Sequence, residues 1–406
     1  MQEAIFICKT LKDRGYVAYF AGGWVRDFLL NHSSYDIDIA TDAPPQIVES
    51  LFKLTVPIGA KFGIILVVIK DKQYEVATFR KDLEYKDGRR PSKVEFSSAL
   101  IDAQRRDFTI NGMFYDPIED KVIDYVNGRE DLEKKIIKAI GDPNLRFKED
   151  RLRMMRAIRL SCRFNFEIEE NTKKAILKHS SELFPSVSIE RIMQEITKMS
   201  RFKGFKNALV TLFEFNLLQT IFPKLKPLKP EEVEERLKII DDFPKNTPAI
   251  LSILELFPDM NLNEKITLLE YLKLSNKEIK FVSFLHESKK MLENPEDLDN
   301  FFWTLFFANS FSSTAVDILA IHVSKDNRKR FLDFLNQKEL ELDFFIKRMK
   351  EKNPIVKAAH LKELNIEDGK LMGELLKEAE KISINKNISD PSNVIKELKK
   401  SPIWPR

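Results

Sequence analysis

A glycine turn and a pair of alternating acids, Gly22-Gly23-Trp24-Val25-Arg26-Asp27 followed by Asp36-Ile37-Asp38-Ile39, constrain this chain more than any other stretch. Successive side chains of a strand point to opposite faces. A strand over Tyr35–Ile39 therefore places Asp36 and Asp38 on one side and Ile37 and Ile39 on the other. Left without a counter-ion, two such carboxylates repel and raise one another's pKa. A hard divalent cation such as Mg²⁺, which takes oxygen ligands, makes the ionised pair favourable. Two such ions, about 3.5–4 Å apart, can clamp the attacking and leaving oxygens of an in-line nucleotidyl displacement. Gly22 and Gly23 let backbone N–H groups approach phosphate oxygens, and Arg26 adds a charge-assisted donor. Taken singly, an Asp-x-Asp at a strand edge is usually a solvated face and a Gly-Gly pair only a turn. Together they point to metal-dependent nucleotidyl transfer.

The chain's 406 residues exceed the usual size of one domain, and 43% hydrophobic residues suffice for more than one core. From Val17 to about Ile140, short β-branched runs (Val17–Phe20, Ile64–Ile69, Tyr74–Phe79) alternate with helical stretches such as Pro45–Leu54. After Arg146 the apolar spacing is almost wholly helical, with breaks near 223–231 and 288–298. A mixed α+β unit followed by helical bundles is expected. Net charge is only +4, which leaves room for local basic surfaces but does not by itself imply nucleic acid. Cys8 and Cys162 are the only cysteines; they exclude a disulfide framework and fit a reducing compartment. No apolar run reaches the roughly 18 residues of a membrane span, and Met1–Arg14 lacks a leader pattern, so a cytoplasmic protein with no membrane partner is expected.

Lys81–Ser92 is too charged for core and too punctuated by Gly88 and Pro91 for a helix interior; it reads as a mobile loop or an ordinary surface connection. Arg105-Arg106-Asp107-Phe108-Thr109-Ile110-Asn111 then sets arginines suited to polyphosphate beside an acid that can accept from a ribose hydroxyl. Beyond the break at Gly141-Asp142-Pro143, the spacing predicts one helix from Arg146 through Arg159. Steps of three place Asp150, Arg153, Arg156 and Arg159 along one face. That face is either a solvated basic surface or a reader of base edges. Cytosine and adenine present an amino donor beside a ring-nitrogen acceptor, so an aspartate that accepts and an arginine that donates match them and mismatch guanine and uracil. Arg156 and Arg159 are left for triphosphate or stacking.

Gly22-Gly23-x-Val25-Arg26-Asp27, Asp36-x-Asp38, Arg105–Asn111, Glu149-Asp150-x-x-Arg153-x-x-Arg156-x-x-Arg159 and Ser188-Ile189-Glu190-Arg191-Ile192 resemble, in order, the motifs of class II tRNA nucleotidyltransferases, the CCA-adding enzymes and their bacterial poly(A) polymerase relatives. The resemblance implies a polymerase β-like nucleotidyltransferase head with a mixed sheet (1–140). An all-helical neck that recognises the base (141–222), a body (223–345) and a tRNA-binding tail (346–406) would follow. It implies that a tRNA 3′-hydroxyl attacks the α-phosphate of CTP or ATP without a template, the protein gripping the acceptor arm and elbow with no protein partner. Carried over by residue, Asp36 and Asp38 hold two Mg²⁺ ions and Gly22, Gly23 and Arg26 meet the triphosphate. Arg106 and Asp107 join the nucleotide site, Asp107 toward the ribose 2′-hydroxyl. Asp150 and Arg153 select the base, and Arg156 and Arg159 complete the site. Glu75 is a third carboxylate able to assist the attacking hydroxyl, or else an exposed strand acid.

Asp87-Gly88-Arg89-Arg90 resembles the family's loop for switching from C to A addition. Gly59–Val67 resembles the CCA-type strand entry, which ranks complete CCA addition above A-only addition and poly(A) synthesis. The chain departs from many bacterial relatives at Asp102-Ala103-Gln104. A tRNA-binding protein with an inactive head is disfavoured by the intact acids and arginines. Basic clusters at Lys347–Lys352 and Ile395–Lys400 suit a phosphate backbone or plain solvation, and Phe301–Phe307 reads as core. The five scattered histidines carry no chemistry.

Overall fold

A computed structural model describes residues 1–34, 36–85, 91–293 and 295–405. The chain forms two compact units, Met1–Asp241 and Asp242–Arg406.

In the first unit, helix α1 (Gln2–Lys12) precedes strand β1 (Ala18–Ala21), helix α2 (Gly23–Leu29), strand β2 (Asp38–Thr41) and helix α3 (Pro45–Leu51). Strands β3 (Thr55–Gly59), β4 (Ile64–Ile69) and β5 (Lys72–Thr78) follow. A separate hairpin comes next, β6 (Arg80–Tyr85) with β7 (Pro91–Phe96), and then α4 (Ala99–Gln104), β8 (Phe114–Asp116) and β9 (Lys121–Ile123). Seven strands join in the order β3-β4-β5-β2-β1-β8-β9, antiparallel except for the parallel β2–β5 pair. Helices α1 and α3 pack on this sheet, and Ile7, Leu11, Val48, Ile37, Ile39, Ile65, Val67 and Val76 are buried. Alternation leaves Asp36 and Asp38 exposed. The strand itself begins at Asp38, later than the expected Tyr35–Ile39. Asp36 lies in the segment that leads into it, and Tyr35 lies outside the described residues.

The segment expected as a loop is largely paired: Arg80 opposes Phe96, Lys81 Glu95 and Asp82 Val94. Antiparallel pairing satisfies backbone groups that polar composition alone suggested were left to water. Residues 86–90, including the Asp87–Arg90 motif, lie outside the described residues.

Further on come α5 (Gly128–Glu133), the parallel two-stranded pair β10 (Ile136–Ile137) and β11 (Glu167–Ile168), α6 (Pro143–Glu149), α7 (Leu152–Phe164), α8 (Glu170–His179) and α9 (Ile189–Met199). The single helix expected over Arg146–Arg159 is two helices. Asp150 between them is extended (φ −146°, ψ 106°), and its Oδ1 accepts the Leu152 N–H at 3.1 Å. A short acidic side chain competes with the helix for backbone donors, and here it wins at the start of α7. Helix α7 buries Leu152, Met154, Met155, Ala157, Ile158 and Leu160, which leaves its arginines on the opposite face, and ends at left-handed Asn165.

The second unit is helical throughout its described residues. Trp303, Phe306 and Phe307 are buried, so the aromatic run is core, as expected. Residues 355–404 gather a small core around Leu361, Leu375, Val394 and Leu398. Arg348, grouped by sequence with phosphate-facing lysines, is instead buried and pairs with Glu380 at 2.6 Å and Ser383 at 3.2 Å. The flanking Lys347, Lys350 and Lys352 remain exposed. Among the described residues no single helix is long and apolar enough to cross a membrane.

Candidate active site

Strand β1 ends beside β2, with Ala21 opposite Asp38, so the turn that follows β1 falls next to the acid. Gly22 makes that turn at φ +67°, and a Cβ there would stand 2.9 Å from Arg106 Nη1. The positive φ favours glycine, and any larger residue would also make the Arg106 guanidinium shift. Helix α2 starts immediately after and turns Arg26 inward, where it is 4% exposed. Its Nε and Nη2 donate to Asp27 Oδ1 at 3.0 and 2.7 Å, and its Nη1 donates to Asn111 Oδ1.

The second wall follows α4. Asp102, 1% exposed, accepts Arg105 Nη2 at 2.6 Å and Arg106 Nη2 at 3.0 Å. Burial works to raise its pKa, yet the two arginines outweigh burial and hold the carboxyl below its ordinary value. Arg106 also lies over the Phe114 ring, 5.0 Å from the centroid. Asp107 is buried. Its Oδ2 receives Arg156 Nε and Nη2 at 2.8 and 2.5 Å, while Oδ1 receives the Phe108 N–H at 2.8 Å and Asn111 Nδ2 at 3.0 Å. Against the burial that would raise it, Arg156 and these hydrogen bonds hold Asp107 far below the usual carboxylate range.

The third wall is the junction of α6 and α7. Arg153 donates to Glu149 at 2.7 Å and to the Arg105 carbonyl at 3.2 Å, which ties α7 to the α4 loop. Arg159 pairs with Glu195 of α9 at 2.6 Å, and Arg191 of α9 with Asp150 at 3.4 Å. Gly22, Gly23, Arg26, Asp36, Asp38, Arg106, Asp107, Asp150, Arg153, Arg156 and Arg159 line a single cleft of about 540 Å³. Glu75 is exposed and is not among its walls. Its strand neighbour Val76 pairs with Ile39, however, so it lies one strand from Asp38 and its charge reaches that acid.

The Asp38 carboxyl keeps contact with solvent, but protein crowds around it. That desolvation, with the charges of Asp36 and Glu75, pushes its pKa up to about 6 against the pull of Arg106. Among the described residues no three His, Cys, Asp or Glu groups converge closely enough to hold a metal by themselves. A pair of carboxylates carrying uncompensated negative charge still fits Mg²⁺, which is commonly held by one or two carboxylates with water and substrate phosphates completing the shell.

Sequence reasoning passed over Asp102, Asn111 and Arg191 as site residues. Asp102 is legible in hindsight from its i,i+3 and i,i+4 spacing to Arg105 and Arg106. The Asn111–Arg26 and Arg191–Asp150 contacts span long sequence separations and carry no local signal, whereas the Asn111–Asp107 contact lies within one short motif.

Residues 18–138 match the family model described as "Poly A polymerase head domain", and residues 165–229 match "Probable RNA and SrmB- binding site of polymerase A". A CCA-adding enzyme of Bacillus pumilus is 39% identical over 284 residues, 68% of each chain. One of Staphylococcus haemolyticus is 34% identical over 368 residues, 90% of this chain and 86% of the relative. The crystal structure of the Bacillus stearothermophilus CCA-adding enzyme in complex with CTP superposes with a TM-score of 0.80 at 27% identity, covering 98% of both chains. A mixed-sheet head of this kind, extended by helices, makes the protein a nucleotidyltransferase. Within that class, the chain belongs to the CCA-adding tRNA nucleotidyltransferase family.

Proposed function

We propose that this protein adds C and A to the 3′ end of tRNA from CTP and ATP, releasing pyrophosphate and using no template. The observation that carries this reading is that the acid pair Asp36 and Asp38 and the base-edge pair Asp150 and Arg153 face one cleft of about 540 Å³. That is room for a small ligand rather than a paired template strand. Asp36 and Asp38 would hold Mg²⁺, which when bound neutralises the triphosphate and acidifies the attacking hydroxyl. The chain's own groups do the rest. Arg26, Arg106, Arg156 and Arg159 are pinned by acids before substrate arrives, so little reorganisation is needed to meet phosphate charge. Asp107, expected to meet the ribose 2′-hydroxyl, is buried with both oxygens engaged, so here it serves the nucleotide through Arg156, whose fork it fixes. Asp150 accepts the exocyclic amine of C or A and Arg153 donates to the adjacent ring nitrogen. G and U would leave both groups unpaired at about 1–3 kcal/mol each. Glu75, one strand from Asp38, adds its negative charge to that acid and would receive the hydroxyl proton only if substrate binding brings the two together. The helices beyond residue 141 divide into neck, body and tail, and grip the acceptor arm and elbow. The cytoplasm, where tRNA, nucleotides and reduced thiols meet, is the place of action.

Three tRNA transcripts, ending at the discriminator base, after C, and after CC, incubated with Mg²⁺ and CTP, ATP or both, test the proposal at single-nucleotide resolution. Growth that stops at CCA on all three is expected. Extension of the CC-ended transcript alone by one A would reassign the protein to A addition, and long A tails would reassign it to poly(A) synthesis.

A further inference from the structure

Asp27 follows Arg26 in α2 yet takes no part in the cleft wall. It is buried, and both of its oxygens are in use: Oδ1 accepts Arg26 at 2.7 and 3.0 Å, and Oδ2 accepts Arg163 Nη2 at 2.9 Å. Arg163 lies in the last turn of α7, the helix whose first turn carries Arg153. The ring of the next residue, Phe164, supports both guanidinium groups, each 4.7 Å from its centroid, and stacks on His32 at 5.8 Å. One carboxylate therefore bridges two arginines from different elements, leaving the trio with one net positive charge, and one ring backs them both. Arg26 has little freedom of its own, so its aim depends on what holds its two partners, Asn111 and Asp27.

We propose that Asp27, Arg163 and Phe164 are positioning residues for nucleotidyl transfer: they fix the aim of Arg26 at the triphosphate and fasten it to the far end of the base-reading helix. The inference rests on the reading above, in which Arg26 meets the triphosphate. The physical basis is leverage. The phosphate grip belongs to α2 and the base reader to the start of α7, and the Asp27–Arg163 pair joins α2 to the other end of α7. Displacements of about 1 Å at a reacting group cost up to about 10²-fold in rate.

The test measures binding of inorganic tripolyphosphate, CTP and ATP, each with Mg²⁺, to the full chain by calorimetry, together with incorporation kinetics. Arg163 is 24% exposed at its side chain, so Arg163→Gln should be tolerated. It should weaken all three ligands by a common factor of about tenfold and leave rejection of UTP and GTP intact, because phosphate aim rather than base reading is lost. Arg163→Lys, which keeps the charge facing Asp27, should recover part of the loss. Phe164→Leu leaves the ion pairs in place and should give a smaller common loss of about threefold, which keeps the proposal testable if Arg163→Gln unfolds. Parent-like tripolyphosphate binding by Arg163→Gln, or a loss confined to one nucleotide, overturns the proposal. Arg26→Gln separates the two levels. If it too binds tripolyphosphate normally, the assignment of Arg26 to the triphosphate falls. If it binds weakly while folded Arg163→Gln is normal, only the positioning role falls.

Discussion

In residues 1–241, arginines reach between elements to acids that are largely withdrawn from water: Arg156 to Asp107, Arg159 to Glu195, Arg163 to Asp27. In residues 242–406, pairs such as Lys347–Asp343 and Lys370–Glu374 join neighbours on one stretch of helix in open solvent. An exposed pair contributes about 0–1 kcal/mol and is easily replaced, whereas a desolvated, cross-element pair fixes where its charges stand. In these pairs one part of the molecule uses charge to hold geometry, and the other keeps it at the surface. Arg348–Glu380 departs from this pattern in the second unit: its side chains are 7% and 13% exposed.

The sharpest way to break this contrast is at the acids. Asp36→Ala or Asp38→Ala should lower nucleotide incorporation by about 10³-fold or more while tRNA binding, measured by filter retention, stays near that of the parent. Loss of tRNA binding in parallel would mean that the acid pair is structural.

Next in size, Arg348→Ala should destabilise the second unit by about 3 kcal/mol, because it leaves Glu380 charged and poorly solvated. Lys347→Ala, one residue away, should stay within about 0.5 kcal/mol. Denaturant unfolding would compare them, and equal effects would erase the distinction between positioned and displayed charge.

Asp150→Ala and Arg153→Ala should each relax base choice by about 10- to 100-fold, read as the ratio of kcat/KM for CTP or ATP against UTP or GTP. Unchanged rejection of UTP and GTP would move base selection elsewhere.

The smallest effect is on pH. The raised Asp38 pKa means that its ionised carboxylate, the form able to hold the proposed Mg²⁺, dominates above about 7 and is lost as pH falls through about 6. Incorporation at limiting Mg²⁺ should fall about tenfold per pH unit below that point, and saturating Mg²⁺ should shift the fall to lower pH. A chelator should abolish the reaction at any pH.

The sequence carried much of the site because its chemistry is local. Strand alternation sent Ile37 and Ile39 into the core and left Asp36 and Asp38 exposed, even though the strand proper begins only at Asp38. The gap between α6 and α7 was illegible, because helical spacing runs through it unbroken and the deciding event is one side-chain hydrogen bond from Asp150 to the Leu152 amide. Arg348 failed as a surface residue for a related reason: its partner Glu380 is 32 residues away, and nothing near Arg348 announces it.

By itself, then, the sequence determined the mixed first part and helical remainder, the acid pair, the glycine turn and the family, since each follows from periodicity or from short motifs whose residues act side by side. Tertiary structure alone decided which distant acid holds which arginine: Asp107 on Arg156, Glu195 on Arg159 and Asp27 on Arg163. Charged groups of one sign are nearly interchangeable along a chain, and only folding, by removing water from some pairs and not others, makes a particular partnership matter.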